Sequence, residues 1–406
     1  MIEVNQGKDY FSSVRGVYRI KGTIEMLTPF RIGSGRDTEY SLNQNPVLLR
    51  YDAESDVYEP FIPGSSIKGI LRAATHRLAK THGYEMNREE PVIVGEIFGN
   101  MEHAAKVKIR DASYAGEKLI FPKEDPKISV RGRKPHLRQE ETLPPSEFSF
   151  EITVNNPTEE EMKMLLAALE EINRKRAHFG GSISRGRGFA RVKYTVEKMN
   201  FGLSAEDLSW KEVSIQPEVS IKGPIPRGDD FSLYMGADND RPYGCIVLHV
   251  NILTEQAFKM SGIDEPTVTV EDKPYIPGSV IKGHLRKKSG FRGEYEERIF
   301  GSTRGRGATR SRVLVSDFLI EEGDAYPDSI PEGVRLIGWI VLDNMKEDEI
   351  KKILSALNLD GTVTITGGTS AKGGVRNGPK KYNKISFEIV DAVKYNVNNP
   401  ELEVEL

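Results

Sequence analysis

The feature that most constrains this chain is an internal repeat. Pro60–Arg72 reads PFIPGSSIKGILR and Pro274–Arg286 reads PYIPGSVIKGHLR, identical at 10 of 13 positions. Further matches follow in the same order. Ile97-Phe98-Gly99 answers to Ile299-Phe300-Gly301, Lys106–Tyr114 to Arg312–Ile320 with Asp111 on Asp317, and Leu143–Val154 to Ile330–Val341. Met164–Leu169 then matches Lys352–Leu357, and Gly180-Gly181-Ser182 matches Gly367-Gly368-Thr369. A period of roughly 200 residues is a duplicated domain, not a solenoid. The 406 residues therefore divide into a first domain at 1–199, a linker at 200–241 rich in Gly, Pro, Asp and Ser, and a second domain at 242–406.

Hydrophobic periodicity gives each copy the order strand, helix, strand, strand, helix, strand. In copy one the strands are Val17–Leu27, Lys106–Ala112, Glu147–Val154 and Phe189–Val196. The first helix starts at Pro63-Gly64, with Ser65 or Ser66 as the expected cap, and runs to about Lys80. The second starts at a capping box of Thr158 and Glu161 and runs to about Arg176. This order is the ferredoxin-like motif, so the predicted class is α+β, two tandem ferredoxin-like (RRM-like) domains with glycine-rich loops. The copies differ in one place. Between Asp111 and Leu143 lie 31 residues, and between Asp317 and Ile330 only 12, so copy one carries an extra basic arm around 115–142.

Charge sharpens the functional reading. The chain has 57 Lys+Arg against 60 Asp+Glu, a formal charge of −3, which excludes a uniformly basic RNA-coating protein. The balance hides segregation. Lys127–Arg138, Asn173–Arg191, Thr303–Arg312 and Ala371–Lys384 each hold four to six Lys/Arg and no acid. Such runs on glycine-rich turns let backbone N–H groups approach phosphates while side chains neutralise them; solvated loops are the plain alternative. The two PGS-V/S-IKG turns repeat the theme: a helix start presents N–H groups and a positive dipole end, and Lys68/Arg72 and Lys282/Arg286 share one helix face each. The residues expected to meet RNA are Ser65, Ser66, Lys68, Arg72, Arg131, Arg133, Lys134, Arg185, Arg187, Ser279, Lys282, Arg286, Arg304, Arg306, Lys372 and Arg376. His136 and His178 lie near two of these segments, and either can touch RNA or be a plain surface residue.

Other chemistry is thin. The seven His form no HExxH, and no P-loop or GxSxG is present, so no structural metal is expected. The lone Cys245 makes no internal disulfide, and no run of ~18 apolar residues occurs, so the expectation is a cytoplasmic protein without a membrane partner. Asp264 lies ten residues before Pro274, on the approach to the second phosphate turn. A carboxylate there suits a divalent cation or assistance to a ribose 2′-OH, or simply a turn. Asp111 and Asp317, which follow strands, read as structural.

These motifs resemble the RAMP superfamily of CRISPR-associated proteins. The resemblance rests on the ferredoxin-like order, RIGSG at Arg31–Gly35, the IPGSSIKG turn and the loop GGSISRGRG at Gly180–Gly188. More narrowly, the chain looks like two fused backbone subunits of a type III CRISPR effector complex. The resemblance implies a subunit that binds guide RNA, meets target RNA and other effector subunits, and uses the arm of copy one as a thumb through the guide–target duplex. It also implies target cleavage with Mg²⁺ or another divalent cation by a loop Asp in the pattern I-D-x-P, which Ile263-Asp264-Glu265-Pro266 matches. Copy one has Gln44 there, an amide that cannot act as that carboxylate, so copy two would cut and copy one only bind. Copy two departs by offering TEQAFKMSG at Thr254–Gly262 where RIGSG is expected. Two alternatives stand: a non-catalytic RAMP subunit capping the guide's 3′ end, and a standalone RNA-processing nuclease, for which no His has an obvious catalytic setting.

Overall fold

A computed structural model describes residues 16–33, 44–45, 47, 49–53, 56–101, 103–116, 120, 122–131, 134–181, 183, 186–201, 208–220, 222, 245–258, 269–270, 273–301, 311–322, 329–366 and 382–395. The first domain comprises β1 (Gly16–Met26), β2 (Gln44–Asn45), β3 (Leu49–Asp52), β4 (Val57–Ile62), α1 (Gly64–Thr81), β5 (Met86–Asn87), β6 (Glu90–Pro91), α2 (Val92–Phe98), β7 (Val107–Ile109), β8 (Ala112–Tyr114), β9 (Lys123–Arg131), β10 (Lys134–Thr142), β11 (Glu147–Asn155), α3 (Glu159–Asn173), β12 (Ala190–Asn200) and β13 (Lys211–Glu212). The second comprises β14 (Cys245–Thr254), β15 (Thr269–Val270), β16 (Lys273–Pro274), α4 (Gly278–Lys288), α5 (Gly293–Phe300), β17 (Val313–Val315), β18 (Leu319–Glu322), β19 (Arg335–Asp343), α6 (Glu347–Leu357), β20 (Thr362–Thr366) and β21 (Tyr382–Tyr395).

The alternating segments form the expected strands because one side of each faces a helix layer. In β11, Phe148, Phe150, Ile152 and Val154 point inward. They meet Leu71, Ala74 and Leu78 of α1 and Leu165, Leu169 and Ile172 of α3 in one core. A second, separate core joins β14, β19 and β21 to α4 and α6. In each sheet the first strand is central, antiparallel to the third and the fourth: β1 between β11 and β12, β14 between β19 and β21. With β7/β8 and β17/β18 outside the third strand, both sheets have the ferredoxin-like order 4-1-3-2, and the predicted α+β class holds.

Three details differ from the sequence expectation. KVKIRDA is two short strands, β7 and β8, broken at Arg110-Asp111 because the Asp111 side chain turns back to a helix. The Ile-Phe-Gly match marks the end of an unforeseen helix, α2 or α5, each closed by a glycine with φ near +80°. At Gly99 a Cβ would also press within 2.7 Å of the Ala105 nitrogen. Finally, the described part of the connection between copies lies along the first domain. Strand β13 pairs with β12, the Arg19 guanidinium sits 4.1 Å above Trp210, and Val213, Ile215 and Val219 pack on the first core.

Candidate nucleic-acid interface

The two PGS turns have one architecture, and it is not the serine cap that the sequence suggests. The residue preceding each helix is proline, Pro63 or Pro277, and no side chain caps either start. Instead the Gly64 N–H donates to Asp111 Oδ1 and the Gly278 N–H to Asp317 Oδ1, both at 2.8 Å. A carboxylate carried by the neighbouring strand end thus takes the place of a cap and complements the helix dipole. The glycine is required because a Cβ would strike the strand carbonyls of Ile109 in one copy and of Val315 and Ser316 in the other. Ser65 and Ser279 are left exposed on the first turn, and Ser66 is half-buried.

The cations on these helices are partly committed. Arg72 holds Glu90 through both carboxylate oxygens, at 2.7 and 2.9 Å. Arg286 binds Glu296 at 2.9 Å and the Gly301 carbonyl at 3.0 Å. Both arginines therefore brace the segment after their helix, which weakens the expectation that they lie open for phosphate. The lysines differ. Lys68 is half-buried, and burial followed by Arg72 holds its ammonium below the ordinary lysine range. Lys282 donates to Ser311 Oγ at 2.7 Å and is pushed down to about 8 by burial, with Arg286 adding to it.

Between the domains lies a cleft of about 630 Å³. One wall is α1, through Ser66, Gly69, Ile70, Ala73 and Arg77; the other is Lys282, Ser311 and Leu314; residues from Arg176 to Ile183 close one end. Gly69 sits in mid-helix, where glycine costs about 1 kcal/mol relative to alanine. A Cβ there would meet nothing, and the same holds at its counterpart Gly283. Neither the protein's packing nor a positive φ requires these glycines. The repeat carries this signal in the G of IKG, whereas Ile70 and Arg77, also on the cleft, have no match in the second copy and only the fold reveals them.

The glycine-rich loop has two partners. Both its ends join the Pro29–Arg31 stretch that leads into RIGSG: the Gly181 N–H donates to the Arg31 carbonyl, the Gly188 N–H to the Pro29 carbonyl, and a Cβ on Gly180 (φ +74°) would collide with Arg31. Its far side docks on the second domain. The Asp317 N–H donates to the Gly186 carbonyl at 3.0 Å, and Gly186 has φ +96° with no room for a Cβ against Asp317. Phe189 packs with Cys245, Val247, Leu314 and Val341, and Arg176 forms a 2.6 Å ion pair with Asp343.

This junction corrects the reading of Asn173–Arg191 as a basic RNA-facing run for three of its cations, Lys175, Arg176 and Arg187. Arg187 is 3 % exposed and donates to the Tyr275 hydroxyl at 3.3 Å; Lys175 and Arg176 are likewise buried. Arg176 pairs with Glu171, two residues before the run, and with Asp343 of the second domain, acids that a scan inside the run does not count. Arg312 is similar, buried with Glu349 at 3.1 Å. His178 is buried with its ring against Phe189, not on the surface.

The arm is a hairpin of β9 and β10, with Arg131 and Lys134 opposite each other at its tip. Gln44, which the sequence reading sets opposite Asp264, lies in β2 beside Gln139 of that hairpin. Asp264, Arg133, Arg185, Arg304, Arg306, Lys372 and Arg376 lie outside the described residues. Among the described residues no group of three or more His, Cys, Asp or Glu is placed to hold a metal.

Two tandem ferredoxin-like domains, paired glycine-marked helix starts and a glycine-rich loop seated on RIGSG agree with the family comparison. The profile of the RAMP superfamily matches residues 23–191 and 261–335. No curated protein matches the chain. The match spans more than half of the residues and both copies of the repeat, and the chain belongs to the RAMP superfamily.

Proposed function

We propose that this RAMP protein is a guide-RNA-binding backbone subunit of a type III CRISPR interference complex, with Asp264 in the second domain cutting target RNA with the help of Mg²⁺ or another divalent cation. The supporting observation is the junction. It sets α1 and α4 on one cleft, so that Gly69 and Lys282 face the same space. A ribose–phosphate chain running along that cleft meets a helix face without side-chain bulk at Gly69 and a cation at Lys282. Guide–target pairing then supplies the sequence readout, and the protein contacts shape and backbone, a division the RNA-guided nucleases illustrate. Asp264 would hold the cation or assist the 2′-OH; its counterpart Gln44 would not.

The test assembles the full chain with its partner subunits, guide and labelled target RNA, and compares wild type with Asp264→Ala in Mg²⁺ and in EDTA. The expected result is unchanged binding with cleavage at this subunit's position lost in the variant and in EDTA. Identical fragments from variant and wild type contradict the catalytic assignment.

A second reading is a non-catalytic subunit capping the guide's 3′ end. It is favoured by the second domain's lack of an arm, with only 12 residues between Asp317 and Ile330. In that case wild type and Asp264→Ala protect the same length of guide from nuclease digestion, and neither cuts target at this subunit.

A further inference from the structure

One face of the second domain's sheet packs on α4 and α6 through Leu248, Val250, Leu336 and Ile340. The opposite face is shared. One end of it, Cys245, Val247, Leu314 and Val341, seats Phe189 of the first domain. Beyond that seat each of two adjacent strands carries a ring: His249 on β14 pairs in register with Trp339 on β19. The ring centroids are 5.5 Å apart and the planes lie 13° from parallel. Both side chains keep part of their surface exposed. Two residues along β14, Asn251 is 7 % exposed and donates to Glu388 Oε2 at 3.1 Å. Neither its Oδ1 nor His249 Nε2 has a hydrogen-bond partner among the described residues. Polar atoms left in this way are costly and rare in folded proteins.

The fold does not demand these rings. In the first domain Ile20 pairs with Ile152 as Leu248 pairs with Ile340, all four buried, so Lys21 and Glu151 stand where His249 and Trp339 do. Lys21 there is bound to Glu197. Aromatic rings on the open face of a four-stranded sheet are how RNA-recognition domains stack unpaired bases. Stacking accepts any base, because each has a π-face, and an unpartnered carbonyl such as Asn251 Oδ1 suits a base N–H. The charges give the strand a direction. Exposed Arg335 lies on β19, and Lys175 Nζ is 5.8 Å from the Trp339 ring. Glu388 and Asp391 lie on β21, the other neighbour of β14. Phosphates are therefore favoured along β19, with the bases turned inward over the rings. The face also adjoins the cleft, since Leu314 lines the cleft and belongs to the seat on which Trp339 packs.

We infer that His249 and Trp339 form a base-stacking platform on the second domain, which holds unpaired bases of the RNA strand that crosses the cleft. The inference rests on the RNA-binding reading of that cleft. The chain has two tryptophans, Trp210 and Trp339. Trp210 lies under Arg19 on the first domain, and Trp210→Phe keeps a ring there while leaving Trp339 as the reporter. The full-length variant is titrated with a short single-stranded RNA and with an abasic ribose–phosphate strand of the same length. Anisotropy of a labelled strand follows binding separately. The expected result is quenching of Trp339 fluorescence by the base-bearing RNA only. Trp339→Leu should lose about tenfold in affinity for that RNA and nothing for the abasic strand, and Trp339→Tyr should restore most of the loss. Should Trp339→Leu fold poorly, the Trp210→Phe titration, which leaves the platform intact, decides alone. Binding without base-dependent quenching overturns the inference and leaves the cleft reading standing, whereas no binding of either strand overturns both. Shielding of Trp339 from acrylamide by a partner protein, with no base-dependent quenching, assigns the face to protein and also overturns it.

Discussion

Asp111 and Asp317 do the same local work in different surroundings, and the difference is measurable. Asp317→Ala leaves the Gly278 N–H buried without its acceptor, at a cost of about 1–3 kcal/mol. At exposed Asp111 water replaces the carboxylate, and Asp111→Ala is expected to cost no more than about 1 kcal/mol, as for a lost helix cap. Denaturant midpoints of the two variants check the order. Gly69→Ala should stabilise the free protein by about 0.5–1 kcal/mol, because its Cβ meets nothing. The same change should weaken RNA binding if the backbone passes there; unaltered affinity would remove Gly69 from the site. Lys175 provides a pH test. It is buried in a left-handed backbone conformation, donates to the Ala190 carbonyl, and is pushed down to about 7 by burial, with Arg191 adding to it. Its folded pKa lies below the unfolded value, about 10.4, so between these values the unfolded chain binds more protons and stability rises with pH. Lys175→Met should abolish that part of the rise, read as the thermal midpoint of wild type against variant from pH 7 to 9.5.

At the scale of elements, the sequence was most legible where periodicity carried the information. The strand EFSFEITV and the capping box of Thr158 and Glu161 are present as read, because alternation and cap chemistry are local. Helices α2 and α5 escape the sequence reading because they are only about two turns long and enter from Pro91 and Arg292 without a side-chain cap. The run Asn173–Arg191 differs for another reason: Arg176 meets Glu171, just ahead of the run, and Asp343 of the other domain, and sequence proximity does not reveal the second. The arm makes a clean deletion target. Its base is closed by reciprocal Phe30–Leu143 backbone bonds of 2.9 and 3.0 Å, which lie outside the hairpin. Replacing residues 123–140 with a short Gly-Ser turn should leave the thermal midpoint within about 2 °C, a shift expected for well under 1 kcal/mol. On the proposed reading it should also abolish distortion of a guide–target duplex, followed by a fluorescent base analogue. A large loss of stability instead would make the arm part of the fold.

At the scale of the whole molecule, duplication explains most of the architecture. The repeat gave the domain order and both helix starts, but the cleft between the domains was not legible, since it exists only once Gly186 meets Asp317 and Phe189 meets Leu314. The net charge of −3 is compatible with this, because Arg176 is paired with Asp343 inside the junction while Lys68 and Lys282 remain on the two helices. The central claim is that RNA binds across that cleft. The most direct measurement is the affinity of the full chain for single-stranded RNA at a series of salt concentrations, for wild type and for Lys68→Ala/Lys282→Ala. The account predicts weaker binding and a salt slope shallower by about 0.7 for each phosphate contact removed. Affinity and slope identical to wild type would contradict it.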